Sequence, residues 1–137
     1  EALIPDTFYD HRRGSTDSEA IFLLALADGL EQDPVGAMAR TLETVRGLMK
    51  EANVSEPLRF TALLTDGETL TAYRWACDGR PPSLYFRDGP GGIVGVSEPI
   101  DGCREGWQVV PKGGTLRARH GSATIVSGSE VIRSRAA

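Results

Sequence analysis

The chain has 137 residues, 40% hydrophobic and 25% charged, with a formal net charge of −4. That length describes a soluble globular piece with one core, too short for two comfortable domains. The acidic balance argues against a nucleic-acid-binding face, which needs clustered Lys and Arg; the longest apolar stretch, Ala20 to Ala27, falls far short of the roughly 20 residues of a membrane span. Neither nucleic acid nor membrane is therefore an expected partner.

Near the N-terminus the order Thr16 and Glu19 fits the S/T-x-x-E capping box, so a helix is predicted from Ser18 to Leu30. Ile21, Phe22, Leu24, Ala25 and Leu26 give it a broad apolar face, and Gly29 is placed to end it. Asp33 before Pro34 marks a second start, because Asp caps free N–H groups and Pro is favoured in the first turn. Val35, Met38, Leu42, Val45, Leu48 and Met49 recur at helical spacing, which predicts an amphipathic helix from Pro34 to Lys50. The two helices are expected to pair.

After Pro57 the period changes to two. Phe60 to Thr65 and Thr69 to Trp75 read as strands joined by an Asp66-Gly67 hairpin turn. Further strands are predicted at Ser83 to Arg87, Ile93 to Ser97, Gln108 to Val110, Thr115 to Arg119 and Ala123 to Val126, separated by Gly, Pro or Asp. Two adjacent helices followed by antiparallel strands make the fold class α+β. No internal repeat is present, and Ser127 to Ala137, with Arg133 and Arg135, reads as a polar solvated tail.

Most candidates for chemistry have plainer readings. Asp88-Gly89-Pro90-Gly91-Gly92 has the glycine content of a phosphate loop but lacks the GK[ST] ending and leads into a strand, so a turn is expected. His11 and His120 have no Cys or Glu at metal-ligand spacing and read as surface residues. Cys77 and Cys103 lie outside any CxxC spacing, which indicates neither zinc nor a disulfide framework; they read as buried, reduced thiols of a cytoplasmic protein. No metal and no cofactor are expected. Asp66 and Asp78 fit turn chemistry, and Trp75 and Trp107 are expected in or beside the core. Asp17 is a surplus. Thr16 and Glu19 already complete the box, so this extra carboxylate in the first turn either serves the helix dipole or waits as a fixed anion for an ammonium group.

The run Gly14-Ser15-Thr16-Asp17-Ser18-Glu19-Ala20 resembles the T/S-D-S/T-E element of class II glutamine amidotransferases. In the same order follow Phe60 to Gly67, similar to the family's n-x-L-x-x-D-G hairpin, with Leu70-Thr71-Ala72-Tyr73-Arg74 after it. Val96-Ser97-Glu98-Pro99 resembles its ASEP strand, and Trp107 with Pro111-Lys112-Gly113 resembles its W-x-x-x-P-x-G return. The resemblance covers roughly residues 12 to 120 and is nearest the small stand-alone amidotransferase-like hydrolases, including the ergothioneine-pathway γ-glutamyl amidohydrolases. It implies the C-terminal part of an αββα N-terminal-nucleophile hydrolase sandwich, with residues 1 to 137 a portion of a single glutaminase-type domain. It also implies that Asp17, helped by Thr16, binds the α-ammonium of glutamine or of a γ-glutamyl amide.

Other family features have no counterpart. The family nucleophile is a Cys at the mature N-terminus whose own α-amino group is the base; the sequence opens on Glu1, and since no charged-then-apolar pattern follows, a signal peptide is not expected. Cys77 and Cys103 carry amide nitrogens that cannot accept the thiol proton. The oxyanion Asn of an Asn-Gly pair is absent, since the sole asparagine is Asn53, followed by Val54, and no carboxylate-binding Arg is identified. Two readings stay open: an enzyme whose catalytic N-terminal half lies outside this chain, with no catalytic residue within it, or a non-catalytic binding or scaffold module. The partners expected under the first are the amide substrate and the missing half, with a homodimer left open.

Overall fold

The computed structural model describes residues 3–100, 102, 105–119 and 121–127; Cys103, His120, Arg133 and Arg135 lie outside them. Two compact units meet in sequence at Glu56 and Pro57. The class is α+β, with helices in the first unit and antiparallel sheet in the second.

The first unit holds α1 (Asp6–Tyr9), α2 (Asp17–Ala27) and α3 (Pro34–Glu51). Helix α2 stops three residues before the predicted Leu30, because Gly29 turns the backbone left-handed at φ +91°. The Gly29 N–H then returns to the Leu26 carbonyl at 3.1 Å and the Leu30 N–H to Ala25 at 3.0 Å, so Leu30, 3% exposed, belongs to the cap. Leu23 turns inward, whereas Phe22, expected on the apolar face, is 40% exposed. A helix apolar on nearly every side carries no phase from which to choose between them.

Helix α3 opens as predicted. Asp33 caps it by accepting the Gly36 N–H at 2.9 Å, with Pro34 in the first turn. Ala37, Met38, Thr41 and Leu42 are buried, but Leu48, predicted on the same face, is exposed. Helix α2, about 16 Å long, cannot cover the whole of α3 at about 27 Å. The junction between them is polar: Thr41 Oγ1, fully buried, donates to Asp28 Oδ2 at 2.6 Å, and Arg40 Nη2 donates to the Asp28 carbonyl at 2.7 Å. Asn53, at φ +55°, ends α3 as Gly29 ends α2, with the Val54 N–H on the Met49 carbonyl at 2.8 Å.

The second unit contains β1 (Arg59–Thr65), β2 (Thr69–Ala76), β3 (Tyr85–Gly89), β4 (Gly92–Val96), β5 (Gln108–Val109), β6 (Gly114–Arg119) and β7 (Ser122–Ser127). They form two antiparallel sheets, ordered β1-β2-β6-β7 and β4-β3-β5. In the predicted hairpin Phe60 faces Trp75 and Thr65 faces Leu70; Asp66 Oδ1 closes the turn by accepting the N–H groups of Glu68 and Thr69. The glycine-rich stretch is the β3–β4 turn, with Gly89 opposite Gly92. One apolar cluster, Ala72, Leu84, Phe86, Val110 and Leu116, draws on both sheets. Arg74 ties down the loops around it, donating to the carbonyls of Pro82 at 2.9 Å and Val110 at 2.6 Å. At Gly95 a Cβ would lie 2.8 Å from Leu63 Cδ2, so a leucine of one sheet touches the main chain of the other.

Cys77 is exposed, contrary to the buried thiol expected. It follows the last cross-strand pair, Arg59 with Ala76, at the open end of the hairpin, where its N–H meets the Leu58 carbonyl at 3.0 Å. Beside it Asp78 accepts the Arg80 N–H, as turn chemistry predicts, and also pairs with Arg59 at 2.8 Å. Trp75 and Trp107 are half-buried, Trp107 under the Arg87 guanidinium at 4.5 Å from its ring centre. Among the described residues no helix is long and apolar enough to cross a membrane.

Candidate functional site

The start of α2 gathers Arg12 to Glu19 into one polar corner. Thr16 is extended at φ −79°, ψ 149°, and its Oγ1 accepts the Glu19 N–H at 3.3 Å, the first half of the expected capping box. The second half differs. Glu19 does not return to the Thr16 N–H; its two oxygens accept the N–H groups of Arg13 and Gly14, each at 2.8 Å. Arg12 Nε closes the segment on itself by donating to the Gly14 carbonyl at 2.9 Å, while Arg13 and Gly14 are bound to the helix end through Glu19. Gly14 suits this approach, since a Cβ there would stand 3.0 Å from Glu19 Oε2.

The Arg13 N–H, then that of Gly14, with the nearby charges of Arg12 and Arg13, hold the Glu19 carboxyl below its ordinary range. Glu19 is thus an anion used up by the backbone. Asp17 is different. Its Oδ1 accepts the Ser18 N–H at 2.8 Å and the Ser18 hydroxyl at 3.4 Å, while among the described residues Oδ2 has no hydrogen-bond partner and the carboxylate no ion pair. It is exposed, at the first position of α2. It stands at the positive end of the helix dipole, and one oxygen is left to meet a cation. Of the residues marked in the sequence, Thr16 and Asp17 are together here.

Other candidates remain apart from chemistry. Cys77 lies in the second unit with an ion pair, Arg59 and Asp78, rather than a base at its side. His11 is an exposed residue after α1. An open recess of about 340 Å³ lies on the second unit at β2, β6 and β7. The grip of Glu19 on Arg13 and Gly14 was not foreseen, and its only trace in sequence is a glycine five residues before the glutamate.

No family model matches the chain, and no curated protein matches it. Among solved structures it is similar to a glutamine aminotransferase class-II domain protein from Silicibacter pomeroyi, at 40% identity and a TM-score of 0.85 over 92% of this chain. The chain has a class II glutamine amidotransferase-like fold. It spans 57% of the length of that solved relative. Within the amidotransferase-like fold, the T-D-S-E run forms the capped start of α2 and the D-G pair the β1–β2 turn. The Pro111-Lys112-Gly113 stretch makes the turn into β6, where the Gly113 N–H meets the Arg74 carbonyl at 2.8 Å.

Proposed function

We infer that the chain is part of a class II glutamine amidotransferase-like enzyme that hydrolyses the side-chain amide of glutamine or of a γ-glutamyl amide. The observation that carries this reading is the uncommitted Oδ2 of Asp17 on a helix end whose other acidic group is already bound. Asp17 takes the substrate's α-ammonium, and Thr16 fixes the backbone beneath it. Because Thr16 and Glu19 hold the turn, the carboxylate meets the ligand already oriented. The chain is then the C-terminal portion of an αββα N-terminal-nucleophile domain.

The covalent step uses a terminal cysteine supplied from outside this chain. Its thiol passes a proton to its own α-amino group and attacks the amide carbon; the C–N bond breaks, the proton leaves with ammonia, and a γ-glutamyl thioester remains for water to hydrolyse. Nothing in residues 1 to 137 takes part in bond making.

In the full-length enzyme, Asp17→Asn removes a charged hydrogen bond worth about 1.5–3 kcal/mol, a rise in KM on the order of ten- to a hundredfold. Steady-state ammonia release from glutamine measures it, with circular dichroism to verify the fold. An unchanged KM would remove Asp17 from the site. A full-length protein that releases no ammonia from any γ-glutamyl amide would favour the non-catalytic module.

A further inference from the structure

We propose that the outer end of the β2-β6-β7 surface is a binding site for a phosphoryl group of a small molecule. Arg117 and Arg119 are two residues apart on β6, so their side chains leave the same face of the sheet about 7 Å apart along the strand. The register places Thr69 and Ser122 opposite Arg119 and Thr124 opposite Arg117, and cross-strand partners share a face. Two guanidinium groups and three hydroxyls therefore converge on the recess of about 340 Å³, which Val126 also lines.

The donors decide the ligand class. The Arg117 side chain has no hydrogen bond or ion pair among the described residues, and each guanidinium offers a planar fork of N–H groups. A carboxylate has two oxygens and one charge, too few for two forks and three hydroxyls. A phosphoryl group has three oxygens and nearly two charges. The recess, at the small end of ligand-pocket sizes, leaves room for part of the molecule that carries it.

One acidic side chain competes. Glu68 holds Arg119 at 2.7 Å, but both are about 70% exposed (70% and 73%), and such pairs exchange readily with solvent and ions. Asp66, which also feels Arg119, is occupied by the N–H groups of Glu68 and Thr69. An incoming phosphoryl group thus displaces Glu68 from Arg119 and meets Arg117 directly.

Titration calorimetry of the full chain at low salt, with inorganic pyrophosphate, inorganic phosphate and acetate in separate runs, tests the proposal. Saturable pyrophosphate or phosphate binding is expected, weakened about tenfold or more by Arg117→Gln and by Arg119→Gln, since each removes a charge-assisted fork. Glu68→Gln is expected to tighten it several-fold by freeing Arg119. These positions are exposed, and circular dichroism verifies that each variant folds. Absence of saturable binding, acetate binding as tightly as phosphate, or indifference to Arg117→Gln would each overturn the proposal. It stands apart from the reading of Asp17: loss of one leaves the other intact.

Discussion

The carboxylate of Glu19 accepts the backbone N–H of Gly14 at 2.8 Å, five residues upstream, and that of Arg13 beside it. The segment before α2 is thereby fastened by the same residue that Thr16 caps. Because Glu19's folded pKa lies below its ordinary 4.5, its contribution is complete above that value and is lost as pH falls through the lower folded value. The amide proton shifts of Arg13 and Gly14, followed by NMR from pH 6 downward, should titrate together with a midpoint below 4.5. In Glu19→Gln both should lose this titration. A midpoint above 4.5 would contradict the geometry.

Thr41→Val keeps shape and removes the hydroxyl that meets Asp28 Oδ2 at 2.6 Å. Thr41 is fully buried, and the change leaves a partly buried carboxylate without its donor, at a cost of about 1–3 kcal/mol. Thr41→Ser keeps the donor and loses only a methyl group, costing about 1 kcal/mol. Urea unfolding should rank wild type above Thr41→Ser and Thr41→Ser above Thr41→Val; a Val variant as stable as wild type would mean that water replaces the hydroxyl freely.

Gly36 and Asp33 are coupled. A Cβ at position 36 would come within 2.0 Å of Asp33 Oδ2, so Gly36→Ala displaces the cap and forfeits about 1 kcal/mol. The better helix propensity of Ala returns up to about 1 kcal/mol. In wild type the two nearly cancel. In an Asp33→Ala background only the gain remains, so Gly36→Ala should stabilise there, and a double-mutant cycle by thermal unfolding reads the difference.

Arg74 satisfies two carbonyls, Pro82 and Val110, from different nitrogens. Lys has a single ammonium and cannot hold both in the same planar arrangement. Arg74→Lys should lose about 1–2 kcal/mol and Arg74→Met about 2–3 kcal/mol, with amide exchange accelerating around Val110 and Gly113. Equal stability of all three would place the work elsewhere.

What could be read from sequence was whatever is decided within a few residues. Thr16, Asp33 and Asp66 act on N–H groups two or three positions away, and helix starts and the hairpin turn followed from them. The Gly, Pro and Asp residues between them located β3 to β7 within two residues of their observed bounds but could not divide them between two sheets, because pairing partners lie far apart in the chain. That Phe22 is exposed while Leu23 is buried was not legible, because α2 is apolar around its circumference. Asn53 was legible only as a missing family residue, whereas its left-handed backbone makes it the end of α3. Asp17 stood out by subtraction, once the cap had claimed its neighbours. That Glu19 would reach to Arg13 and Gly14 depends on how residues 13–16 curl, which no spacing encodes.

The contact of Leu63 with Gly95 makes the separation of β1 and β4 depend on how much volume one leucine carries. Where side chains of both sheets interdigitate, a change on one side is absorbed by repacking on the other. Here one side is bare backbone, so nothing opposite can adjust its shape. Leu63 is itself 46% exposed: trimming it opens the seam to water instead of leaving a sealed void, and enlarging position 95 tips the leucine outward. Residues 63 and 95 therefore act as a spacer at the rim of the two sheets, the place where their distance can be altered without disturbing the cluster around Leu84 and Leu116.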